Sequence, residues 1–287
     1  FVQLIQWFVW FLGQMPRFVK YLGAKIIGFY IIYIPNQSSQ VTRKNIDLAY
    51  PDLTEDQRST LVKTSLEELC GKFFDLITTW VKPVGYSQRQ VSTIIGLEKF
   101  QSQSANKPTL VLLPHIGNWE LFGVWLTQYR SYTAMFRPLR VPEISDLVRQ
   151  ARERGGNHLV PATIVGVKQI LKRLRQKELA IVLPDQAPKE GDGLYVPFFG
   201  HDVLTPVLPY RLALATDATV FIGAALKRDD GYEVVLKQIA TPGDHEQHVW
   251  LARMNQEIEG LVRDNPAQYQ WEYRRFRNAP DGTLRYP

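Results

Sequence analysis

The residues best suited to chemistry are a histidine and a glutamate five positions apart, His115 and Glu120. They follow a short apolar run, Thr109–Leu113, and a helical pattern begins directly after them. This order puts His115 at the carboxyl end of a buried strand, where open α/β sheets bind their ligands. The carboxylate of Glu120 can turn back to one imidazole nitrogen, which leaves the other nitrogen to take a proton from a bound hydroxyl. We therefore predict a general-base dyad of His115 and Glu120.

The chemistry of this dyad resembles the base half of a serine hydrolase triad without the serine. The nucleophile is therefore expected to be a substrate alcohol, with no acyl-enzyme intermediate. Spacing alone leaves a capping or core role for His115 as the alternative. Cys70 lies within a helical pattern and is expected to fill the core. With five histidines and no His-Glu-x-x-His helix, no metal site is expected, and His245 and His248 are expected to be solvated.

The segments around these residues predict an α/β fold with a mostly parallel central sheet covered by helices. Residues 38–287 are predicted to form one domain, with an all-helical lead-in over 38–107 and the α/β core over 108–287. The turn at Asp229-Asp230-Gly231 predicts one antiparallel pair in the sheet. The predicted strands are Thr109–Leu113, Leu179–Leu183, Ala218–Leu226 and Tyr232–Ile239, and the predicted helices include Ile144–Arg154 and Val165–Lys177.

The N-terminal residues 1–37 are predicted to form a separate, membrane-associated helical segment. Aromatic side chains are frequent there, and the charges are only Arg17, Lys20 and Lys25. The two uncharged runs are shorter than the ~18 apolar residues of a spanning helix. Helices lying at the membrane interface are therefore favoured, with a hydrophobic hairpin buried on the protein as the alternative.

The charge distribution predicts an anionic partner. The chain has 34 Lys and Arg against 28 Asp and Glu, and residues 137–177 hold ten basic and three acidic residues. Nucleic acid is one such partner, but the chain has no recognised nucleic-acid-binding motif and that function leaves His115 and Glu120 unexplained. An anionic lipid surface beside an aromatic segment is therefore expected, and nucleic acid is not.

The order of several motifs resembles one family, the lipid A late acyltransferases within the lysophospholipid acyltransferase superfamily. His115 and Glu120 look like the His-x4-Asp/Glu motif of that superfamily. The resemblance covers roughly residues 38–280. The other matching segments are Arg43 to Leu48, Phe136-Arg137-Pro138, Arg149 to Gly155, Pro184-Asp185-Gln186, Pro197 to Gly200 with Thr205, and Gln270 to Phe276.

The resemblance implies transfer of a fatty acyl group from acyl carrier protein to a hydroxyl of a lipid A precursor, with no cofactor. It implies His115 as the base, Glu120 as its orienting partner and Arg152 as the donor to the thioester oxygen, with Arg137 or Arg154 as the alternative donor. It also implies a bacterial inner-membrane location with the catalytic domain facing the cytoplasm. An acyltransferase for another acceptor, such as a phosphatidylinositol mannoside, an ornithine lipid or a lysophospholipid, with acyl carrier protein or coenzyme A as donor, is the alternative.

Further residues are predicted to contact the substrates. Arginine forks suit the phosphates of such an acceptor. Asp185 is expected at the same sheet edge as His115, either on an acceptor sugar or in a salt bridge with an arginine. Phe199 is expected either to line an acyl channel or to pack in the core. The predicted substrate-binding set is Arg137, Arg149, Arg154, Asp185, Asn118, Phe199, Arg274 and Arg275; Arg140, Lys172, Arg173, Arg175 and Arg277 are further phosphate candidates, with a solvated face as the alternative for the lysine-rich helix.

Overall fold

The computed structural model describes residues 2–139, 141–189, 191–243, 245–277 and 279–286. The predicted phosphate contact of Arg140 lies outside these described residues. The helices are α1 (Val2–Gln14), α2 (Arg17–Tyr33), α3 (Gln37–Ala49), α4 (Glu55–Val81), α5 (Val84–Gln88), α6 (Leu97–Ser104), α7 (Trp119–Leu126), α8 (Pro142–Glu153), α9 (Ile164–Arg175), α10 (Leu208–Thr216) and α11 (Gln247–Asp264). The strands are β1 (Val91–Ile95), β2 (Thr109–Leu112), β3 (Tyr132–Phe136), β4 (His158–Pro161), β5 (Leu179–Val182), β6 (Gly193–Phe198), β7 (His201–Pro206), β8 (Thr219–Arg228) and β9 (Gly231–Ile239).

A seven-stranded sheet in the order β1-β9-β8-β2-β5-β3-β4 forms the centre of the fold. Strand β2 pairs in parallel with β5 and β8, and β3 pairs in parallel with β4 and β5. Strands β8 and β9 form an antiparallel pair whose turn ends at Gly231. The predicted α/β fold with a mostly parallel sheet and one antiparallel pair is therefore confirmed.

Strand β2 lies in the interior of the sheet, and each of its four residues is buried. Leu110 and Leu112 belong to the core layer that includes α9, α10 and α11, whereas Val111 packs with α6 and α7 on the opposite face. Because helices cover both faces, the strand is apolar at every position except its first, Thr109. This continuous run made the strand recognisable in the sequence.

The lead-in is not all helical, which corrects the prediction for residues 38–107. Strand β1 (Val91–Ile95) pairs in parallel with β9 at one edge of the sheet. Four of its five residues are β-branched, which suits a strand. Four of the five are also exposed, so no alternation of buried and exposed side chains marked the strand in the sequence.

A second, two-stranded sheet, the hairpin of β6 and β7, has no counterpart among the predicted strands. Its turn consists of Phe199 and Gly200, whose φ angles are +50° and +73°. Two successive positive φ angles are typical of the turns that match the twist of hairpins. The Phe199 ring is buried between Tyr50 and Trp271, so this turn belongs to the core.

The N-terminal helices α1 and α2 pack along α4. Lys20 Nζ of α2 donates to the Gly13 carbonyl at 2.8 Å and to Thr78 Oγ1 of α4 at 2.6 Å. Among the described residues no single helix is both long and apolar enough to cross a bilayer; α2 and α3 pass that test together but are bent by 73°. Exposed large apolar residues on α1 and α2 include Trp7, Phe8, Trp10, Phe11, Phe18, Tyr21, Leu22, Ile26, Phe29, Tyr30 and Tyr33.

Candidate active site

The site begins at the carboxyl ends of two neighbouring parallel strands. His115 follows β2 and Asp185 follows β5, so the pairing of these strands brings the two residues together. The chain between β2 and α7 is tightly held, because Gly117 has a φ of +59° and a Cβ there would lie 2.1 Å from the Ala225 carbonyl oxygen. Only glycine fits at that position. The loop that carries His115 is therefore fixed against β8.

Asp185 holds His115 at two points. Its Oδ1 lies 2.8 Å from Nδ1 of the imidazole, and its Oδ2 accepts the backbone N–H of His115 at 2.8 Å. The predicted pairing of His115 with Glu120 is thus corrected: the ring partner is Asp185. The reason is direction, because Glu120 points from the first turn of α7 to the other side of the cleft, where it meets Arg152. The two alternatives for Asp185, sugar contact or an arginine salt bridge, are replaced by this imidazole contact.

The Asp185 carboxyl is ionised in this setting. Burial raises the pKa of the carboxyl, but the charge of His115 and the hydrogen bonds from its ring and backbone lower it more, so that the pKa lies below its ordinary value. An ionised carboxylate at Nδ1 keeps the proton on that nitrogen. The Nε2 atom is then the proton acceptor that faces the cleft.

The cleft-facing side of the imidazole meets two glutamines. Gln186 Nε2 lies 3.3 Å from His115 Nε2 and donates to Gln270 Oε1 at 3.1 Å. The Trp119 ring packs edge-to-face with the imidazole, with 5.1 Å between the two ring centroids. A substrate hydroxyl that approaches Nε2 therefore takes the place of the Gln186 amide. Neither glutamine was predicted as a separate contact, although Gln186 and Gln270 both stand in motifs that the sequence singled out.

Glu120 and Arg152 form a second ion pair at the same cleft, with the Glu120 side chain buried and that of Arg152 partly exposed. Arg152 Nε donates to both carboxylate oxygens at 3.2 and 3.0 Å, and Nη2 donates to Oε1 at 2.5 Å. Burial lowers the pKa of Arg152, but the charge of Glu120 raises it more, so the guanidinium is firmly cationic. No acceptor within the described part of the chain binds Nη1. That atom is available to a substrate oxygen.

His115, Glu120 and Arg152 line one cleft with a volume of about 610 Å³, which is in the usual range of ligand sites. Its walls are mainly apolar, and the polar side chains that reach it include His115, Glu120, Arg152, Gln186 and Arg137. An apolar cleft with a few convergent polar groups suits a substrate that carries a hydrocarbon chain. The remaining described walls include Leu76, Trp80, Tyr132, Ala134, Met135, Phe136, Val148, Ile181, Leu183, Pro206 and Leu208.

Arg154 does not point into the cleft, which corrects its prediction as a substrate contact. Its guanidinium donates to the carbonyl oxygens of Thr79, Trp80 and Lys82 at 3.1, 2.7 and 2.9 Å. These carbonyls belong to the end of α4, where helices lack internal donors. Arg154 therefore fixes the C-terminus of α4 and, through it, the wall that holds Trp80.

We expect the Arg154→Ala variant to lose about 1–2 kcal/mol of unfolding free energy, because three carbonyls lose a charged donor. Denaturant unfolding monitored by tryptophan fluorescence measures this loss. Arg149→Ala is the matched control, since its exposed side chain pairs only with Glu153 one turn away, and it should change stability by less than about 0.5 kcal/mol. Equal stability of the two variants would contradict the capping role.

Arg275 and Asn118 also differ from the predicted substrate contacts. Arg275 is 2% exposed, and its guanidinium donates to the Leu204 carbonyl at 2.6 Å and to Thr205 Oγ1 at 2.9 Å. Asn118 caps α7, because its Oδ1 accepts the Leu121 N–H at 2.9 Å. Both side chains form these hydrogen bonds inside the protein, so they support the fold rather than face the cleft.

The other predicted residues are distributed as follows. Arg137 is exposed at the cleft wall, and Arg149 lies beside a neighbouring cavity that follows β3. Arg274 is partly buried, with its guanidinium 5.8 Å from the Tyr286 ring. Cys70 is buried within α4, and burial raises the pKa of its thiol to about 11. The exposure of His245 and His248 agrees with their prediction as solvated residues.

Known proteins match this chain over nearly its whole length. The profile of the family described as bacterial lipid A biosynthesis acyltransferase matches residues 1–278. The chain belongs to this family. Among its relatives, a lipid A biosynthesis acyltransferase of Haemophilus influenzae is 27% identical over 98% of this chain and 91% of its own length. The lipid A biosynthesis lauroyltransferase of Escherichia coli is 23% identical over 96% of this chain and 90% of its own length.

Some relatives of this chain are named for a different acceptor. A phosphatidylinositol mannoside acyltransferase of Mycolicibacterium smegmatis is 24% identical over 65% of this chain and 62% of its own length. The resemblance inferred from the ordered motifs is thus confirmed.

Several of the ordered motifs meet away from the cleft. Asn45 is fully buried, and its Nδ2 donates to the carbonyls of Trp271 and Tyr273 at 2.6 and 2.8 Å. Thr205 similarly accepts from Arg275 at 2.9 Å. These motifs fasten the C-terminal segment, which in turn places Gln270 beside His115. Their contribution to the site is to hold its wall.

Proposed function

We propose that the protein transfers a fatty acyl group from acyl carrier protein to a hydroxyl of a lipid A precursor, with His115 as general base and Asp185 as its orienting partner. The observation that carries this proposal is the buried His115–Asp185 pair opening onto a largely apolar cleft. Membership of the lipid A biosynthesis acyltransferase family supports the choice of reaction and acceptor.

The reaction begins when the acceptor hydroxyl displaces the Gln186 amide from His115 Nε2. Nε2 takes the hydroxyl proton while the oxygen attacks the thioester carbonyl carbon, and Asp185 stabilises the imidazolium that forms. The carbon–sulfur bond then breaks, and the imidazolium gives its proton to the departing thiolate, which leaves as the thiol of the carrier. The oxygen ester forms without a covalent bond to the protein.

Arg152 supplies positive charge for the oxygen of the thioester as it becomes negative. Its Nε and Nη2 are held by Glu120, and Nη1 has no acceptor among the described residues, so the guanidinium is oriented before substrate binds. Preoriented donors of this kind lower the barrier more than mobile ones. The role proposed for Glu120 is therefore to position Arg152, in place of the role at His115 that the sequence suggested.

The aromatic surface of α1 and α2 supports contact with a membrane, and membership of the family favours the cytoplasmic side of the bacterial inner membrane. Trp7 and Phe8 are 61% and 56% exposed, and Phe18 is 72% exposed. Water-exposed aromatic surface of this extent is unfavourable, whereas Trp and Tyr side chains are stable at the membrane interface. Because α1 also packs against α8, this surface adjoins the helix that carries Arg152. A membrane-bound acceptor then reaches the cleft without leaving the bilayer.

The test is a detergent-micelle assay that offers a phosphorylated lipid A precursor with a series of acyl carrier protein thioesters, with products identified by mass spectrometry. We expect a mass gain of one acyl group, reduced about 10²–10⁴-fold by His115→Ala because the general base is lost. His248→Ala, in an exposed position of α11, is the matched control and should retain full activity.

The phosphatidylinositol mannoside acyltransferase relatives favour one second candidate, a different glycolipid acceptor. Including such mannosides and acyl-coenzyme A in the same assay separates the two. A His115-dependent product from the mannoside alone would replace lipid A precursor as the acceptor. Equal product from wild type and His115→Ala would reject the base assignment for either acceptor.

A further inference from the structure

A second set of cavities lies between α2 and α4, and it shares no described wall residue with the His115 cleft. One cavity has a volume of about 270 Å³ and the other about 430 Å³. Both include Tyr21, Ala24, Gly71 and Lys227 in their walls, so they form one groove along the two helices. We refer to these two cavities together as the α2–α4 groove.

The end of the α2–α4 groove near α5 contains cations that form no salt bridge with a carboxylate; Asp75 lines the same cavity but pairs with Lys227 at 3.4 Å. Arg17 and Lys20 line the cavity there, and Lys82 lies beside Lys20. None of the ion pairs formed by the described residues includes any of these three. Their acceptors are neutral: Gln90 for Arg17, Gly13 and Thr78 for Lys20, and Gln14 for Lys82. This end therefore suits an anion.

The smaller cavity of the α2–α4 groove is mainly apolar, whereas the walls of the larger one also include the charged residues Lys25, Lys63, Glu67 and Glu68. Tyr21, Ala24 and Phe74 line the smaller cavity, and Phe29 and Ile32 line the larger one. Phe29 and Tyr21 also belong to the exposed aromatic surface of α2, with exposures of 67% and 65%. The groove is thus continuous with the surface assigned to the membrane. A cationic end beside a partly apolar channel suits a lipid with an anionic headgroup.

We propose that the α2–α4 groove binds one anionic phospholipid of the surrounding bilayer, with its phosphate between Arg17 and Lys20 and an acyl chain along Ala24 and Phe29. This site is distinct from the acceptor cleft and rests on the proposed membrane contact. Its role is to hold α2 against the domain with a lipid taken from the membrane itself.

Native mass spectrometry of the detergent-purified protein after incubation with phosphatidylglycerol or phosphatidylcholine tests this site. We expect wild type to retain one phosphatidylglycerol and to prefer it to phosphatidylcholine. Arg17→Gln should weaken retention about fivefold, since one basic residue near a lipid phosphate contributes roughly that factor. Ala24→Phe should also abolish retention by filling the groove without changing charge. Lys99→Gln, on exposed α6, removes one charge elsewhere and should have no effect.

Equal retention of both lipids, or unchanged retention in Ala24→Phe, would overturn the site. Equal thermal stabilisation by inorganic phosphate and by short-chain phosphatidylglycerol would also overturn it, in favour of a free anion. Retention is measured without acyl transfer, so a protein that binds the lipid but lacks transferase activity would contradict only the proposed function. Transfer activity without selective retention would contradict only this site.

Discussion

The Asp185→Asn variant is expected to lose about 10³–10⁴-fold in kcat for acyl transfer while keeping its fold. The reason is the proton on the imidazole. Asp185 accepts both the backbone N–H and the Nδ1–H of His115 at 2.8 Å, but an asparagine has only one acceptor oxygen. If that oxygen keeps the backbone N–H, the amide group donates to Nδ1 and moves the proton to Nε2. His115 then has no acceptor facing the substrate.

The ¹⁵N chemical shifts of the imidazole measure this change directly, because they distinguish a proton on Nδ1 from one on Nε2. Asp202→Asn, at an exposed position of β7, is the matched control and should keep wild-type activity. If Asp185→Asn retains kcat within about fivefold while Glu120→Gln abolishes transfer, the pairing of His115 with Glu120 in the substrate complex would replace the pairing with Asp185.

The contact between Asp185 and His115 is expected to make the stability of the protein depend on pH. The folded-state pKa of Asp185 lies below the ordinary value of 3.8. The paired carboxylate therefore stabilises the fold above that value, and this contribution disappears as the pH falls through the lower, folded-state pKa. The Asp185→Asn variant lacks it. Unfolding free energies measured from neutral pH down to the acid limb should fall less steeply in that variant than in wild type.

The sequence predicted the sheet edge better than the contacts made there. Strand β2 and the position of His115 were recognisable because β2 is apolar on both faces and is followed directly by a helix. The residue that pairs with the His115 ring was not recognisable, because its identity depends on which strand lies beside β2. Asp185, which follows β5, comes 70 residues after His115 in the chain. Patterns in a single sequence do not specify that β5 lies beside β2. The sequence pattern also does not specify the direction in which the Glu120 side chain leaves the first turn of α7.

The arginines show a similar division. Arg152 and Arg154 differ by two positions, so they project to different sides of α8 and its C-terminal end. One reaches Glu120 in the cleft and the other reaches the carbonyls that end α4. Charge counting recognised the basic segment but treated its members alike. Arg275 was likewise predicted to bind substrate, whereas the structure buries it against Leu204 and Thr205.

The Glu120–Arg152 pair leads to the second large expected effect. Arg152→Met should lower kcat about 10²–10³-fold through loss of the donor to the thioester oxygen. It should also destabilise the fold by about 3 kcal/mol, because the Glu120 carboxylate, whose side chain is 5% exposed, is left without its partner. The acceptor KM should change much less than kcat. A larger change in KM would instead assign Arg152 to binding of an acceptor phosphate.

A double variant separates the two effects of losing Arg152. Glu120→Gln combined with Arg152→Met removes both charges, so no unpaired carboxylate remains and most of the lost stability should return. Transfer should stay low, because the cation that faces the thioester oxygen is still absent. Denaturant unfolding and kcat measured on the same preparations give both quantities. If activity returned together with stability, the pair would act only through the fold. The positive charge for the thioester oxygen would then have to come from another residue of the cleft. Arg137, which directly follows β3, is the candidate.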